Sequence, residues 1–250
     1  MNETLRLLEE RKSVRAFTER PITEEEVGII LNAAVQAPSA GNQQLYTILR
    51  VTDPERKKRL SESCDHQPFI AEAKLVLVFL ADCLKWYRAF EATGCNPRRP
   101  GPGDLMLAVV DAVIAAQNAV VAASSLGIGS CYIGDIMENI EEQREILELP
   151  EYVFPAAMLV FGYPTDLQLK REKPVRSPMH LIVSENTYPA READQLREML
   201  EPKAGRVPYG QWMEAFCKRK YHSDFCLEMS RSVETALEAF RDWRMDDGRA

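Results

Sequence analysis

The sequence predicts a protein of mixed class, α/β or α+β, with its sheet in the middle. Three observations lead there. Only three or four runs carry the β-branched and apolar density of strands, five or more stretches read as helices, and the strand-like runs are dispersed among the helical ones. With 250 residues and 46% hydrophobic content, the chain is long enough to bury one substantial core.

Taken in order, residues 2–10 set Leu5, Leu7 and Leu8 among acids, which suits a first helix. "PITEEEVGIILNAAVQAP" follows, where Thr23 and Glu26 form a capping box and Pro38 stops the helix. The intervening "ERKSVRAF" is a loop or short extended run. "LYTILRV" (45–51) has strand composition, and "DPERKKRL" opens a helix with Asp53 as cap and Pro54 at its first position. "KLVLVFLA" (74–81) is the clearest buried strand. "GCNPRRPGPGD" (94–104) is a loop full of breakers, with Asp104 expected to cap a long apolar helix over 105–126. "SCYIGDI" returns through a short extended piece, "NIEEQREILEL" (139–149) is a helix, and "FPAAMLVFGYP" (154–164) is a second buried strand. "LQLKREKPVRSPMH" (167–180) reads as a basic loop. The pattern is helical again from Tyr188, with two amphipathic helices over 209–243.

Composition removes several functions. A net charge of -7 argues against a general nucleic-acid binder, which needs a basic face. Six cysteines without a CxxC, and no charged-then-apolar leader after Met1, predict reduced thiols and a cytoplasmic protein. The stretch 105–126 is the most membrane-like, yet Asp111, Gln117 and Asn118 interrupt it, so it is expected to be a buried helix rather than a span. GxGxxG after a strand, GxxxxGK[ST], HExxH and GxSxG are all missing. Cys217, His222 and Cys226 lie within ten residues but lack a fourth ligand for structural zinc.

Recognition of an anion has better support. Arg11, Ser13 and Arg15 stand at i, i+2 and i+4, so an extended run places them on one face spanning roughly 13 Å. Guanidinium forks and a hydroxyl suit an elongated phosphate-bearing ligand; they also suit a solvated helix end. "APSAGNQQ" offers Ser39, the backbone at Gly41 and the amide of Asn42, or a simple helix stop. Gly134 leaves room for a flat ring, or only follows a helix cap and strand.

"RKSVRAF", "APSAGNQQ", "DHQPFIAEAKLVLVF", "GIGSCYIGDI" and "KPVR", in this order, resemble the FMN-dependent nitroreductase family over roughly residues 1–185. The resemblance implies an α+β fold: a three-layer α/β/α sandwich whose central mixed, mainly antiparallel sheet is flanked by helices. It implies an FMN-binding domain over 1–200 and a C-terminal helical extension over 201–250 packing on the domain or the partner subunit. Arg11, Ser13, Arg176 and Lys173 resemble the phosphate binders, with Lys12 beside them. Arg15 resembles the cation at the pyrimidine edge of the ring, Gln67 a hydrogen-bonding partner of that ring, and Tyr132, Ile133 and Gly134 the segment running along it. Pro38, Ser39, Ala40 and Asn42 resemble a loop contributed by the other subunit of a homodimer. Three positions depart from the family pattern: Ala40 stands where a second serine is frequent, Lys12 where arginine or histidine is usual, and Asp135 where a small residue is common.

The implied function is an FMN oxidoreductase that takes hydride from NAD(P)H and passes it, in a ping-pong scheme, to nitroaromatic, quinone or flavin acceptors. The flavin carries the chemistry, so no catalytic side chain is expected. The alternative is an FMN-storing or redox-sensing module without efficient turnover.

Overall fold

The computed structural model describes residues 1–244. The chain runs through α1 (Glu3–Glu10), α2 (Glu24–Val35), β1 (Tyr46–Arg50), α3 (Pro54–Ser63), α4 (Pro68–Glu72), β2 (Leu75–Asp82), α5 (Leu84–Ala92) and α6 (Pro102–Ser125). It continues through β3 (Gly129–Ile133), α7 (Ile140–Leu147), β4 (Val153–Gly162), α8 (Asp166–Lys170), α9 (Met179–Ile182), α10 (Ala193–Leu200), α11 (Tyr209–Tyr221) and α12 (Asp224–Glu238).

The four strands form one sheet in the order β1-β2-β4-β3, every neighbouring pair antiparallel. β2 and β4 are buried along their whole length and so occupy the centre. The two-residue alternation of β2 sends its side chains to opposite faces. Leu75, Leu77, Phe79 and Ala81 enter one core with residues of α2, α6 and the end of the chain, while Val76, Val78 and Leu80 enter a second core with residues of α3, α4 and α7. A sheet with helices on both faces is the expected α+β sandwich. Among the described residues, the one parallel pairing is an isolated bridge between Ser13 and Ser130.

Local signals explain the helix ends. Thr23 and Glu26 close their capping box with bonds of 3.2 and 2.8 Å, and Asp53 accepts from Arg56 N at 2.8 Å ahead of Pro54. Asp104 is not the cap of α6. The helix begins three residues earlier because Pro102 takes its first position, Gly101 is the cap, and Asp104 reaches back to Gly101 N at 2.7 Å while holding Arg98. The expected loop at 167–180 contains α8 and α9, which are too short to leave a periodicity.

Two compact units are present: Met1–Arg171 together with Glu228 onward, and Glu172–Leu227. The division does not fall at residue 200. The first unit holds the sheet and both cores. The second holds α9, α10 and α11, where Ser177 Oγ donates to Met199 O at 3.1 Å and His180 pairs with Glu198 at 3.0 Å. Residues 245–250 of the anticipated extension lie outside the described residues.

Candidate flavin-binding site

The segment after α1 is extended and runs beside the strand ends. Val14 N donates to Ser130 O at 2.9 Å, and Thr18 N to Tyr163 O at 2.8 Å, so Val14 turns into the core and its neighbours turn away from it. Two glycines make this approach possible: a Cβ on Gly129 would come within 2.6 Å of Val14, and one on Gly162 within 2.6 Å of Phe17. Arg11, Ser13 and Arg15 therefore alternate with buried Val14, as their spacing predicts.

Arg11 ends α1, its N–H donating to Leu7 O at 2.9 Å. Its Nη1 is buried and has no hydrogen-bond partner among the described residues, and Ser130 Oγ is in the same condition. Both residues line one groove, together with Lys12, Ser124 and Gly129. An unpartnered buried donor is costly, and a guanidinium left so is suited to an anionic oxygen.

The cations converge around Cys131. Burial pushes its thiol pKa up, while the positive charges of Arg15, Arg11 and Arg171 and the Ser13 hydroxyl pull it back. Burial likewise pushes the Tyr132 phenol up to about 12 against the opposing charge of Arg11, and its hydroxyl donates to Gln117 Oε1 at 3.3 Å. Arg171 and Gln168 were not singled out in the sequence: the Arg171 guanidinium donates to Ser13 O, and Gln168 Oε1 accepts from Arg15 N at 3.3 Å. They lie more than 150 residues from the motif they brace, and no local pattern marks them.

Lys12 lines the same groove, and its ammonium donates to the carbonyls of Leu169, at 2.8 Å, and Arg171, so it also ties the segment to α8. Gln67 caps α4 and spends its amide N–H on Cys64 O at 2.9 Å, leaving Oε1 as an acceptor. Ile133 is buried, Gly134 is exposed, and nothing lies within 4 Å of where a Cβ on Gly134 would stand.

The loop carrying Pro38, Ser39, Ala40 and Asn42 has no hydrogen bond to this cluster among the described residues. It is tied to α5 through Trp86 Nε1, which donates to Gln43 O at 2.8 Å. Three of its residues are left-handed: Gly41 and Asn42 at φ 56°, and Gln44 at φ 50°. Lys173 and Arg176 belong to the second unit, where Arg176 and Lys203 line a groove with Val175, Met179, Ile182 and Val183.

The buried guanidinium nitrogen of Arg11, unpartnered among the described residues, offers a partner to an anion, and the sandwich that carries it belongs, by the relatives it matches, to the FMN-dependent oxidoreductases. The chain belongs to the nitroreductase family, whose signature matches residues 8–163. It is 38% identical over 244 residues to FMN reductase (NAD(P)H) of Bacillus subtilis strain 168, covering 95% of this chain and 92% of that protein. It is 33% identical over 222 residues to the oxygen-insensitive NADPH nitroreductase of Salmonella typhimurium strain LT2, covering 86% and 89%. The solved structure of B. megaterium NfrA2 superposes with a TM-score of 0.83 at 30% identity, covering 99% of this chain and 100% of that one.

Proposed function

We propose that this protein is an NAD(P)H-dependent FMN oxidoreductase that works by a ping-pong scheme on nitroaromatic, quinone or flavin acceptors. The observation that carries the reading is the buried, unpartnered Nη1 of Arg11 among the converging charges of Arg15 and Arg171.

When bound, FMN supplies two-electron transfer between a nicotinamide and an acceptor. The chain's own residues hold and polarise it. Arg11 and Ser13 bind the phosphate. Arg15 would set a positive charge at the pyrimidine edge of the ring, where it would favour the negative charge that reduction brings. Gln67 Oε1 accepts a ring N–H, and the open flank of Gly134 with the backbone of Tyr132 and Ile133 lets the ring lie close. Lys12 fixes the segment through the Leu169 and Arg171 carbonyls.

The site is completed by Pro38, Ser39, Ala40 and Asn42 of a second copy, making the functional unit a homodimer. Support comes from α6. By length and composition, with mean hydropathy 2.0, it passes for a membrane span. Instead it packs against α2, β2 and β4, and on its other side it exposes Met106, Val110 and Val113, while α2 exposes Ile29 and Val35. A second copy covering that stripe accounts for both faces. Six cysteines without a disulfide fit a reducing cytoplasm.

The reading is tested anaerobically. Purified protein carries a flavin absorbance that NADH or NADPH bleaches within the turnover time and an acceptor restores. Bleaching much slower than turnover leaves the storage or sensing module as the function.

A further inference from the structure

We propose that Asp111, in the middle of α6, is a positioning residue that sets the shape of the flavin-facing loop at residues 38–44. Asp104 and Asp111 are the only charged residues in this 24-residue helix, and Asp111 is 2% exposed. A buried carboxylate is expensive unless its oxygens are satisfied. Here both are satisfied by the loop: Oδ1 accepts from Ala40 N at 2.9 Å and Oδ2 from Leu45 N at 3.1 Å. One side chain thus grips the two ends of the turn, and Ser39 Oγ adds a third hold on Gln44 N at 2.9 Å.

The grip has something to oppose. Asn42 and Gln44 both adopt left-handed backbone angles, which cost free energy in residues with a Cβ and persist only where the surroundings enforce them. Packing α6 alone calls for no carboxylate at this point, since its buried neighbours are Ala108, Ala112 and Ala115. With the backbone donors at 40 and 45 turned inward onto Asp111, the side chain of Asn42 is left exposed and without a hydrogen bond among the described residues. It is available to a ligand. The inference rests on the reading that this loop touches FMN; what it adds is the group that holds the loop in the competent shape.

Asp111→Asn tests it, because the amide keeps the size and one acceptor but turns a donor toward a backbone N–H. Asn118→Ala is the comparison: it removes another bond from α6 to the helical layer, Asn118 Nδ2 to Ala33 O at 3.1 Å, without touching the loop. Three quantities are read on each protein: the FMN dissociation constant, the visible circular dichroism of bound FMN, and the melting temperature of the FMN-stripped form. Asp111→Asn is expected to raise the dissociation constant about tenfold, the worth of one lost buried bond, and to alter the flavin dichroism. Asn118→Ala is expected to lower the melting temperature and leave both flavin readouts unchanged. If Asp111→Asn lowers stability alone, with affinity and dichroism as in the parent, the proposal is overturned. Failure of both Asp111→Asn and Asp111→Glu to fold also overturns it, by assigning the carboxylate to the core. Asn42→Ala separates the two readings: if it too leaves FMN affinity unchanged, the loop's contact with flavin is what fails.

Discussion

At the scale of single residues, the anion site depends on whether Arg11 is bound for a ligand or for solvent. A solvated arginine leaves its nitrogens in water, whereas Nη1 of Arg11 is buried without a partner. Arg11→Ala should therefore weaken FMN binding by roughly 1.5–3 kcal/mol, the range for a hydrogen bond to a charged group. Fluorescence titration of stripped protein with FMN measures it, and an unchanged affinity would remove Arg11 from the site. The alternation of Arg11, Ser13 and Arg15 was legible because a two-residue period is a local property. The bracing by Gln168 and Arg171, and the hold of Lys12 on Leu169 and Arg171, were not, since each contact joins residues over 150 positions apart.

At the scale of elements, α12 clamps the turn that follows Gly134. Ser232, fully buried, donates to Met137 O at 2.7 Å and accepts from Ile140 N at 2.9 Å, while Glu228 accepts from Asn139 N at 3.0 Å and Arg231 bridges Glu228 to Glu141. Glu138 sits inside this clamp with Oε1 buried and without a hydrogen-bond partner among the described residues. Burial, reinforced by the charges of Asp135, Asp65 and Glu228, pushes its pKa up to about 7. The folded protein thus retains a proton that the unfolded chain gives up near 4.5. The resulting stability is complete below about pH 4.5, declines as pH rises, and is gone above about 7. The expected loss is on the order of 1 kcal/mol once solvent screening is allowed for. Glu138→Gln should flatten this slope in the melting temperature of stripped protein between pH 5 and 8; an unaltered slope assigns the titration elsewhere. Periodicity and caps revealed α2, α3 and α7 but not this clamp, because it depends on where the last helix returns in space. α4, α8 and α9 stay hidden for a different, local reason: their four or five residues complete too little of a helical repeat to register.

At the scale of the whole molecule, the sequence exposed two buried strands but not the order β1-β2-β4-β3, since strand neighbours are chosen by contacts that no single segment contains. The apolar helix was legible as a core element through its polar interruptions, and the structure explains one of them by giving Asp111 two backbone donors. Its exposed stripe is what carries the molecule beyond one chain. Val110 and Val113, 50% and 40% exposed, lie on one helical face with Met106 at 65%. Large apolar side chains grouped on one exposed helical face offer a surface that a second copy can cover. If a second copy covers it, burying a charge there without a partner costs several kcal/mol and must be met twice across a two-fold interface, once from each subunit. Val110→Glu should therefore convert a dimer to monomers in sedimentation velocity. If the loop at 38–42 completes the partner's flavin site, the same variant loses bound FMN in parallel. A variant that stays dimeric would exclude this face of α6 as the interface. Dissociation with FMN fully retained would keep the interface but confine each flavin site to one chain.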